Sequence, residues 1–154
     1  MWRALLGVAL VIGAQLAFAL NGTSGLVVLA GDDPYIHLDL ADQLWRTGLY
    51  GVNEGIVTSP SSSIIWPFLL APFSATDYPV ELTLALAVLG SLEPPAVLYR
   101  LSRLLLQPAA PEGQALLLTG FFALLFNLPG LALMGLEHSW QLFLTFLGIY
   151  GVLR

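Results

Sequence analysis

Cysteine and lysine are both absent from the 154 residues, and charged residues make up only 10% of the sequence. Without cysteine the chain forms neither a disulfide framework nor a thiolate metal site. A soluble domain carries about 25% charged residues, so this chain has too little polar surface to cover a water-soluble particle. The net charge of −5 argues against nucleic acid as a partner, because phosphate binding needs clustered cations. These absences leave lipid as the solvent that the sequence suits.

Long apolar runs are what the sequence has instead. A membrane-spanning helix needs about 20 mostly apolar residues, and four stretches are predicted to span: residues 4–20, 79–99, 115–134 and 137–153. Residues 21–78 form the loop between the first two. We therefore expect a single all-α membrane domain over residues 1–154, with about four transmembrane helices and with amphipathic juxtamembrane helices in the first outer loop.

The arginines predict the orientation of these spans. With Arg3 in the cytoplasm, Arg100, Arg103 and Arg154 fall on the same side, as the positive-inside rule expects. The 21–78 loop then lies outside and holds six of the ten acids: Asp32, Asp33, Asp39, Asp42, Glu54 and Asp77. An alternative interpretation treats the first apolar run as a signal peptide, with Ala17-Phe18-Ala19 as its cleavage site. The loop lies outside in either case.

The outer loop contains a predicted amphipathic helix. Asp33 followed by Pro34 is typical of a helix start with Asp33 as N-cap, and Gly48 suits a C-terminal stop. The apolar stripe consists of Ile36, Leu40, Ala41, Leu44 and Trp45, and the polar face consists of Asp39, Asp42, Gln43 and Arg46. This helix is too short to span, so we expect it to lie flat at the outer interface. Residues 64–73 predict a re-entrant or interfacial segment, with Trp66 at headgroup level.

Four side chains of this outer side are candidates for chemistry. Asp32 and Asp33 are adjacent carboxylates, which act as a general base toward a hydroxyl or hold a divalent cation against phosphate oxygens. The alternative is that Asp33 only caps a helix and Asp32 is a solvated turn residue. Glu137 lies at the turn between the last two spans, where an acid near the membrane is either functional or simply hydrated. His37 follows Asp33 by one turn and can approach a phosphate, although a lone histidine is more often structural.

Glu93 and His138 are two further candidates for function. Glu93 interrupts the second span in Glu93-Pro94-Pro95, where the prolines free backbone carbonyls and predict a kink. Its carboxyl either faces a polar cavity, as in a small transporter, or is protonated and hydrogen-bonded to another helix, which we favour. His138 has the same status as His37, and neither histidine has the spacing of a metal site.

An ordered series of short motifs runs along the outer loop: Gly31-Asp32-Asp33-Pro34-Tyr35-Ile36-His37, Tyr50-Gly51-Val52-Asn53-Glu54-Gly55, Thr58-Ser59-Pro60 and Trp66-Pro67. Leu98-Tyr99-Arg100 follows the second span, and Gly135-Leu136-Glu137 stands at an outer helix end. Together this series resembles the first part of bacterial membrane glycosyltransferases of the GT-C fold, the superfamily of arabinosyl- and mannosyltransferase-like enzymes. The resemblance covers roughly residues 26–153.

The resemblance implies transfer of a sugar from a polyprenyl-phosphate carrier to an acceptor on the outer face of a bacterial inner membrane, by a multi-pass protein. It implies Asp33 or Asp32 as the catalytic base, with Asp33 favoured, and Glu137 and His37 as substrate-binding residues. Expected partners are membrane lipid, the polyprenyl-phosphate sugar and a further membrane subunit, and a divalent cation is left open as a cofactor.

The length of the chain leads to one more expectation. Members of that superfamily run to several hundred residues with many more helices, so we expect this chain to be the N-terminal module or a truncated copy of such an enzyme. The alternative is a non-catalytic membrane subunit or remnant that binds lipid or a partner protein.

Overall fold

A computed structural model describes residues 2–53, 55–58, 60–106 and 109–154. Within these ranges the regular structure is helical, apart from an isolated β-bridge between Asn53 and Ile56. The prediction of an all-α protein is therefore confirmed for the described residues. Glu54 and Ser59, which belong to the acidic loop and to the motif series, lie outside them.

These ranges contain eight helices. In chain order they are α1 (Trp2–Gly22), α2 (Asp33–Thr47), α3 (Ile65–Ser74), α4 (Pro79–Leu92), α5 (Pro94–Leu105), α6 (Glu112–Leu125), α7 (Leu128–Leu133) and α8 (His138–Leu153). Helices α2 and α3 lie in the 21–78 loop, where the sequence predicts an amphipathic helix and a short apolar segment.

Among the described residues, two helical stretches are long and apolar enough to cross a membrane: α1, and the run Pro79–Leu105 that joins α4 to α5. The run is continuous because Glu93, between the two helices, keeps helical dihedral angles (φ −79°, ψ −42°). The Glu93 side chain is exposed and borders a groove with Trp2 and Leu5. The interpretation of Glu93 as a carboxyl hydrogen-bonded to another helix is therefore wrong.

The last two predicted spans are built from shorter helices. The 115–134 stretch forms α6 and α7, which are separated by a left-handed residue, Asn127 (φ 49°), with Pro129 just behind it. At 1.5 Å per residue, the 14 residues of α6 cover about 21 Å and the 16 residues of α8 about 24 Å. Each is shorter than the roughly 30 Å of a bilayer core.

The helices enclose two hydrophobic cores. The loop-side core lies where α2 packs on α3 and α3 packs on α4; its buried members are Leu29, Leu38, Ala41, Trp66, Leu70, Ala71 and Leu84. The bundle core lies where α5 packs against α6 and α8; its buried members are Val97, Leu98, Leu101, Ala123, Leu128 and Phe146. The short helix α7 packs against α1 and α4.

Helix α2 has the predicted length but a different start and a different buried face. Asp32 rather than Asp33 is the N-cap residue, and its side chain forms no capping hydrogen bond. Gly48 ends the helix in the left-handed conformation (φ 73°), with its N–H bonded to the Leu44 carbonyl at 2.9 Å, as predicted. His37 and Gln43 are buried, whereas Trp45 of the predicted apolar stripe is 55% exposed. The helix packs against α3 through this face, which mixes polar and apolar side chains.

Helices α4 and α8 cross closely at two adjacent positions. A Cβ atom on Gly90 would lie 2.5 Å from the Trp140 indole nitrogen, and that indole N–H donates to the Leu86 carbonyl at 2.9 Å. The hydroxyl groups of Ser91 and Ser139 lie 2.6 Å apart and are buried. The absence of a side chain at position 90 thus allows α8 to seat on α4.

Candidate functional site

The turn between α7 and α8, residues 134–137, is where the 21–78 loop meets the helix bundle. Gly135 is in the left-handed conformation (φ 71°), and a Cβ atom there would lie 2.7 Å from the Leu29 side chain. The Trp66 indole N–H donates to the Gly135 carbonyl at 3.2 Å, in a buried position. Trp66 is 1% exposed, so it is part of the loop-side core and is not an exposed side chain at the protein surface. The turn is held from both sides by the loop.

Glu137 ends this turn and is 8% exposed. Its Oε1 atom accepts a hydrogen bond from Gln141 Nε2 at 3.2 Å, one turn further along α8. Its Oε2 atom is buried and has no hydrogen-bond partner. Leaving a buried carboxylate oxygen unsatisfied costs about 1–3 kcal/mol or more, and such an exception in a folded protein calls for a reason. A ligand hydroxyl or a cation would satisfy this oxygen.

His37 approaches Glu137 from α2. It is 4% exposed, and its Nδ1 atom lies 3.0 Å from the hydroxyl of Ser61. That hydroxyl is also 2.7 Å from the Ser63 carbonyl and accepts the Ser63 N–H. The shorter contact with the carbonyl takes the hydroxyl proton, so His37 donates its Nδ1 proton to Ser61. This arrangement leaves Nε2 as the basic nitrogen of the ring.

Two of the other candidate residues, Glu137 and Asp33, affect the pKa of His37. Burial lowers the pKa of His37 below its ordinary value of 6.5, because the interior disfavours the imidazolium form. The carboxylates of Glu137 and Asp33 oppose this and raise the pKa, and His138 lowers it further. Asp33 and Glu137 therefore each lie within electrostatic range of His37; we refer to these three residues as the candidate site.

The two aspartates differ in their relation to this site. Both side chains are exposed, which suits groups that must meet a substrate from outside. Asp33 acts on the pKa of His37, whereas Asp32 is absent from its causes. Tyr35 fixes this corner, because its hydroxyl accepts the backbone N–H of Leu29 at 3.1 Å. The structure thus groups Asp33 with His37 and Glu137, and leaves Asp32 at the helix start.

In the described part of the chain, no group of three or more histidine, aspartate or glutamate side chains is placed to hold a metal ion. His138 and Gln141 border a groove of about 450 Å³ that Phe126 and Leu131 also line.

Some contacts of the site have no signal in the sequence. Ser61 lies in a stretch rich in glycine, serine and proline that reads as a plain connector, yet it bonds His37 across 24 positions. Trp66 bonds Gly135 across 69 positions. Both contacts join residues that are far apart in the sequence, so local sequence patterns do not predict them. The positions of the acidic residues are the only sequence feature that indicates this site.

No protein-family model, curated protein or solved structure matches this chain. The candidate site therefore rests on its own geometry.

Proposed function

We propose that this chain is a membrane glycosyltransferase, or the N-terminal module of one, of the GT-C type. It transfers a sugar from a polyprenyl-phosphate carrier to an acceptor at the outer face of a bacterial inner membrane. The proposal includes four membrane crossings, with α6 and α7 together forming the third and α8 the fourth. It also includes the orientation that puts Arg3, Arg100 and Arg103 in the cytoplasm.

One observation carries the proposal: residues from two distant segments converge on His37. Asp33 comes from the start of α2 and Glu137 from the turn before α8, and both act on the same imidazole. One of these residues, Glu137, has a buried carboxylate oxygen without a hydrogen-bond partner. Structural polar groups are normally satisfied, so a substrate group that completes the hydrogen bonding of Glu137 accounts for the arrangement.

Each residue of the candidate site has a role in the proposed reaction. The acceptor hydroxyl oxygen bonds to the anomeric carbon of the sugar while the bond from that carbon to the carrier phosphate breaks. Asp33, exposed at the site, takes the hydroxyl proton as general base. The free Glu137 oxygen accepts a hydrogen bond from a sugar hydroxyl. His37, held by Ser61, faces the released phosphate.

A transfer assay with single substitutions tests these roles. The chain is produced in bacterial membranes and supplied with radiolabelled polyprenyl-phosphate sugars, and labelled acceptor is measured. Asp33→Asn should lower the rate of transfer by at least about a hundredfold, the typical contribution of a general base. Asp39→Asn is the matched control, because it makes the same change at another exposed position of α2 and should leave transfer unchanged.

The outcomes separate the assigned roles. Unchanged transfer with Asp33→Asn would remove the catalytic assignment. Glu137→Gln should raise the KM for the carrier-linked sugar more than it lowers kcat, because Glu137 is proposed to bind and not to transfer the proton. Equal losses in Asp33→Asn and Asp39→Asn would indicate a general charge effect and contradict the site.

A second candidate, a non-catalytic subunit that binds lipid or a partner protein, is favoured by one feature. Only 11% of the most apolar part of α1 is buried inside the protein, against 56% of the Pro79–Leu105 run. Such an exposed helix suits lipid or a partner helix. Absence of transfer by the unaltered chain with every donor, together with capture of a membrane partner by an Asp32→Asn, Asp33→Asn double variant, would support this candidate over the enzyme.

A further inference from the structure

A groove of about 300 Å³ lies between α1 and α6, and no residue of the candidate site lines it. It is lined on α1 by residues between Arg3 and Val11 and on α6 by residues between Leu116 and Leu124. Except for Arg3 and Thr119 its lining is apolar, and the Thr119 hydroxyl is already bonded to the Ala115 carbonyl at 2.7 Å. Its volume is at the lower end of the range for small-molecule sites.

The glycines of this groove are not used for helix packing. In membrane proteins small residues usually let two helices approach closely, and Gly90 does so here by receiving Trp140. Gly7 and Gly120 line the groove, yet a Cβ atom on either would meet no atom within 4 Å. These two positions therefore leave space between α1 and α6 that the protein does not fill.

Arg3 supplies a charge at the end of this space. Its guanidinium group lies over the Trp2 ring, 5.6 Å from the ring centroid. The one ion pair within the described residues joins Asp42 to Arg46 and does not involve Arg3. A guanidinium group pairs well with phosphate, through two parallel hydrogen bonds. A cation beside an apolar groove complements a molecule with a phosphate head and a hydrocarbon chain.

We infer that the groove between α1 and α6 binds one anionic phospholipid of the surrounding bilayer, with an acyl chain along Gly7 and Gly120 and the phosphate on Arg3. The inference rests on the membrane placement in the proposed function, but it does not depend on sugar transfer. The lipid covers the groove-lining face of α1 between Arg3 and Val11.

Native mass spectrometry of the full chain, released from detergent micelles, tests the binding. Phosphatidylglycerol and phosphatidylcholine with identical chains are the probes, at equal concentration. One bound phosphatidylglycerol is expected, retained about fivefold more than phosphatidylcholine, the preference that one arginine gives at an anionic surface. Arg3→Gln should remove this preference, and Arg3→Lys should restore most of it.

Filling the groove is the second arm of the test. Gly7→Leu and Gly120→Leu place side chains into the open space without meeting the backbone and should lower lipid retention at least tenfold. Gly13→Leu on α1 and Gly113→Leu on α6 are matched controls, since both positions are also open but do not line the groove. Unchanged circular dichroism of each variant shows that the helices are intact.

Several outcomes would overturn the inference. Equal retention of the two lipids by the unaltered chain would contradict the role of Arg3, and loss in the control variants would contradict the groove. A dimer that Gly120→Leu dissociates would assign the groove to a second copy. Displacement of phosphatidylglycerol by a small amount of polyprenyl phosphate would assign it to the carrier. Asp33→Asn should retain the lipid while losing transfer, so this inference and the proposed reaction fail separately.

Discussion

The loop-side core and the bundle core differ in what they bury beside aliphatic side chains. In the bundle core, aromatic rings fill the space: Phe126 meets Phe146 edge to face at 5.2 Å, and Phe122 stacks on Phe126 at 6.2 Å. Around the loop-side core, three segments bring in buried polar groups: His37, Gln43, Ser63 and Glu137. Burying such groups costs free energy unless they are paired.

This difference shows where the molecule departs from the most stable packing. The rings of the bundle core contribute apolar contact and need no particular partner beyond a complementary shape. The groups of the loop-side region need specific partners, and one of them, the Glu137 Oε2 atom, has none. The loop-side region therefore contains a buried polar atom whose desolvation no partner within the described residues offsets.

The largest expected effect comes from truncating one large buried side chain in each core. Trp66→Ala and Phe146→Ala should each lower the free energy of unfolding by about 3–5 kcal/mol, but only Trp66→Ala should speed proteolysis between α2 and α3, because it frees the loop from the 134–137 turn. Limited proteolysis and denaturant unfolding in detergent measure both effects. Trp45→Ala, at a 55% exposed position, is the control and should change stability by less than about 0.5 kcal/mol. Equal proteolysis of the two core variants would mean that the regions unfold as one.

A smaller effect is expected when the pH is lowered, and it should affect the stability of the loop-side region alone. The pKa of His37 is lowered in the folded protein, mainly by burial, so the unfolded chain takes up a proton more readily than the folded one. The stabilisation is complete above about pH 6.5 and is lost as the pH falls from there through the folded pKa. Protease resistance of the loop should therefore decline on acidification. His37→Gln should remove this decline, whereas His138→Gln should retain it; a decline that persists in His37→Gln would assign it to another group.

The smallest effect is expected on the outer face of α2. Asp42 and Arg46 form an i,i+4 pair at 3.3 Å, with side chains 44% and 58% exposed. Pairs of this kind contribute about 0.3–0.5 kcal/mol, so Asp42→Asn should lower the free energy of unfolding by no more than about 0.5 kcal/mol. Denaturant unfolding at low and high salt measures it. A loss above about 1 kcal/mol would show that this face also contributes to the docking of the loop.

Local features of the fold were predictable from the sequence because their causes are local. Gly48 ends α2 since a left-handed residue is needed there, and the Asp42–Arg46 pair follows from helical spacing alone. The buried face of α2 was not predictable from hydrophobicity. His37 and Gln43 are polar, yet each has a hydrogen-bond partner that allows its burial. Ser61 bonds His37, and Gln43 Nε2 donates to the Asn53 carbonyl at 3.1 Å.

The sequence predicted which residues form the candidate site, but not how they are arranged. The positions of Asp33, His37 and Glu137 marked them as residues near the membrane, and the structure brings Asp33 and Glu137 into electrostatic range of His37. The burial of Glu137 could not be foreseen, because it depends on the turn at Gly135 and on the Trp66 bond to it. The burial of Trp66 could not be foreseen either. Its residue type is typical of an interfacial anchor, whereas its contacts place it in the loop-side core.

The crossing of α4 and α8 has a consequence for how this protein assembles. Ser139 follows Glu137 by two residues, and a slip of one residue along α8 would turn every side chain on it by about 100°. Such a slip would separate the Ser91 and Ser139 hydroxyl groups and drive Trp140 off Gly90. It would also carry Glu137 away from His37. The register between these two helices and the position of Glu137 relative to the loop are therefore linked, and the serine pair and the absence of a side chain at position 90 favour that register.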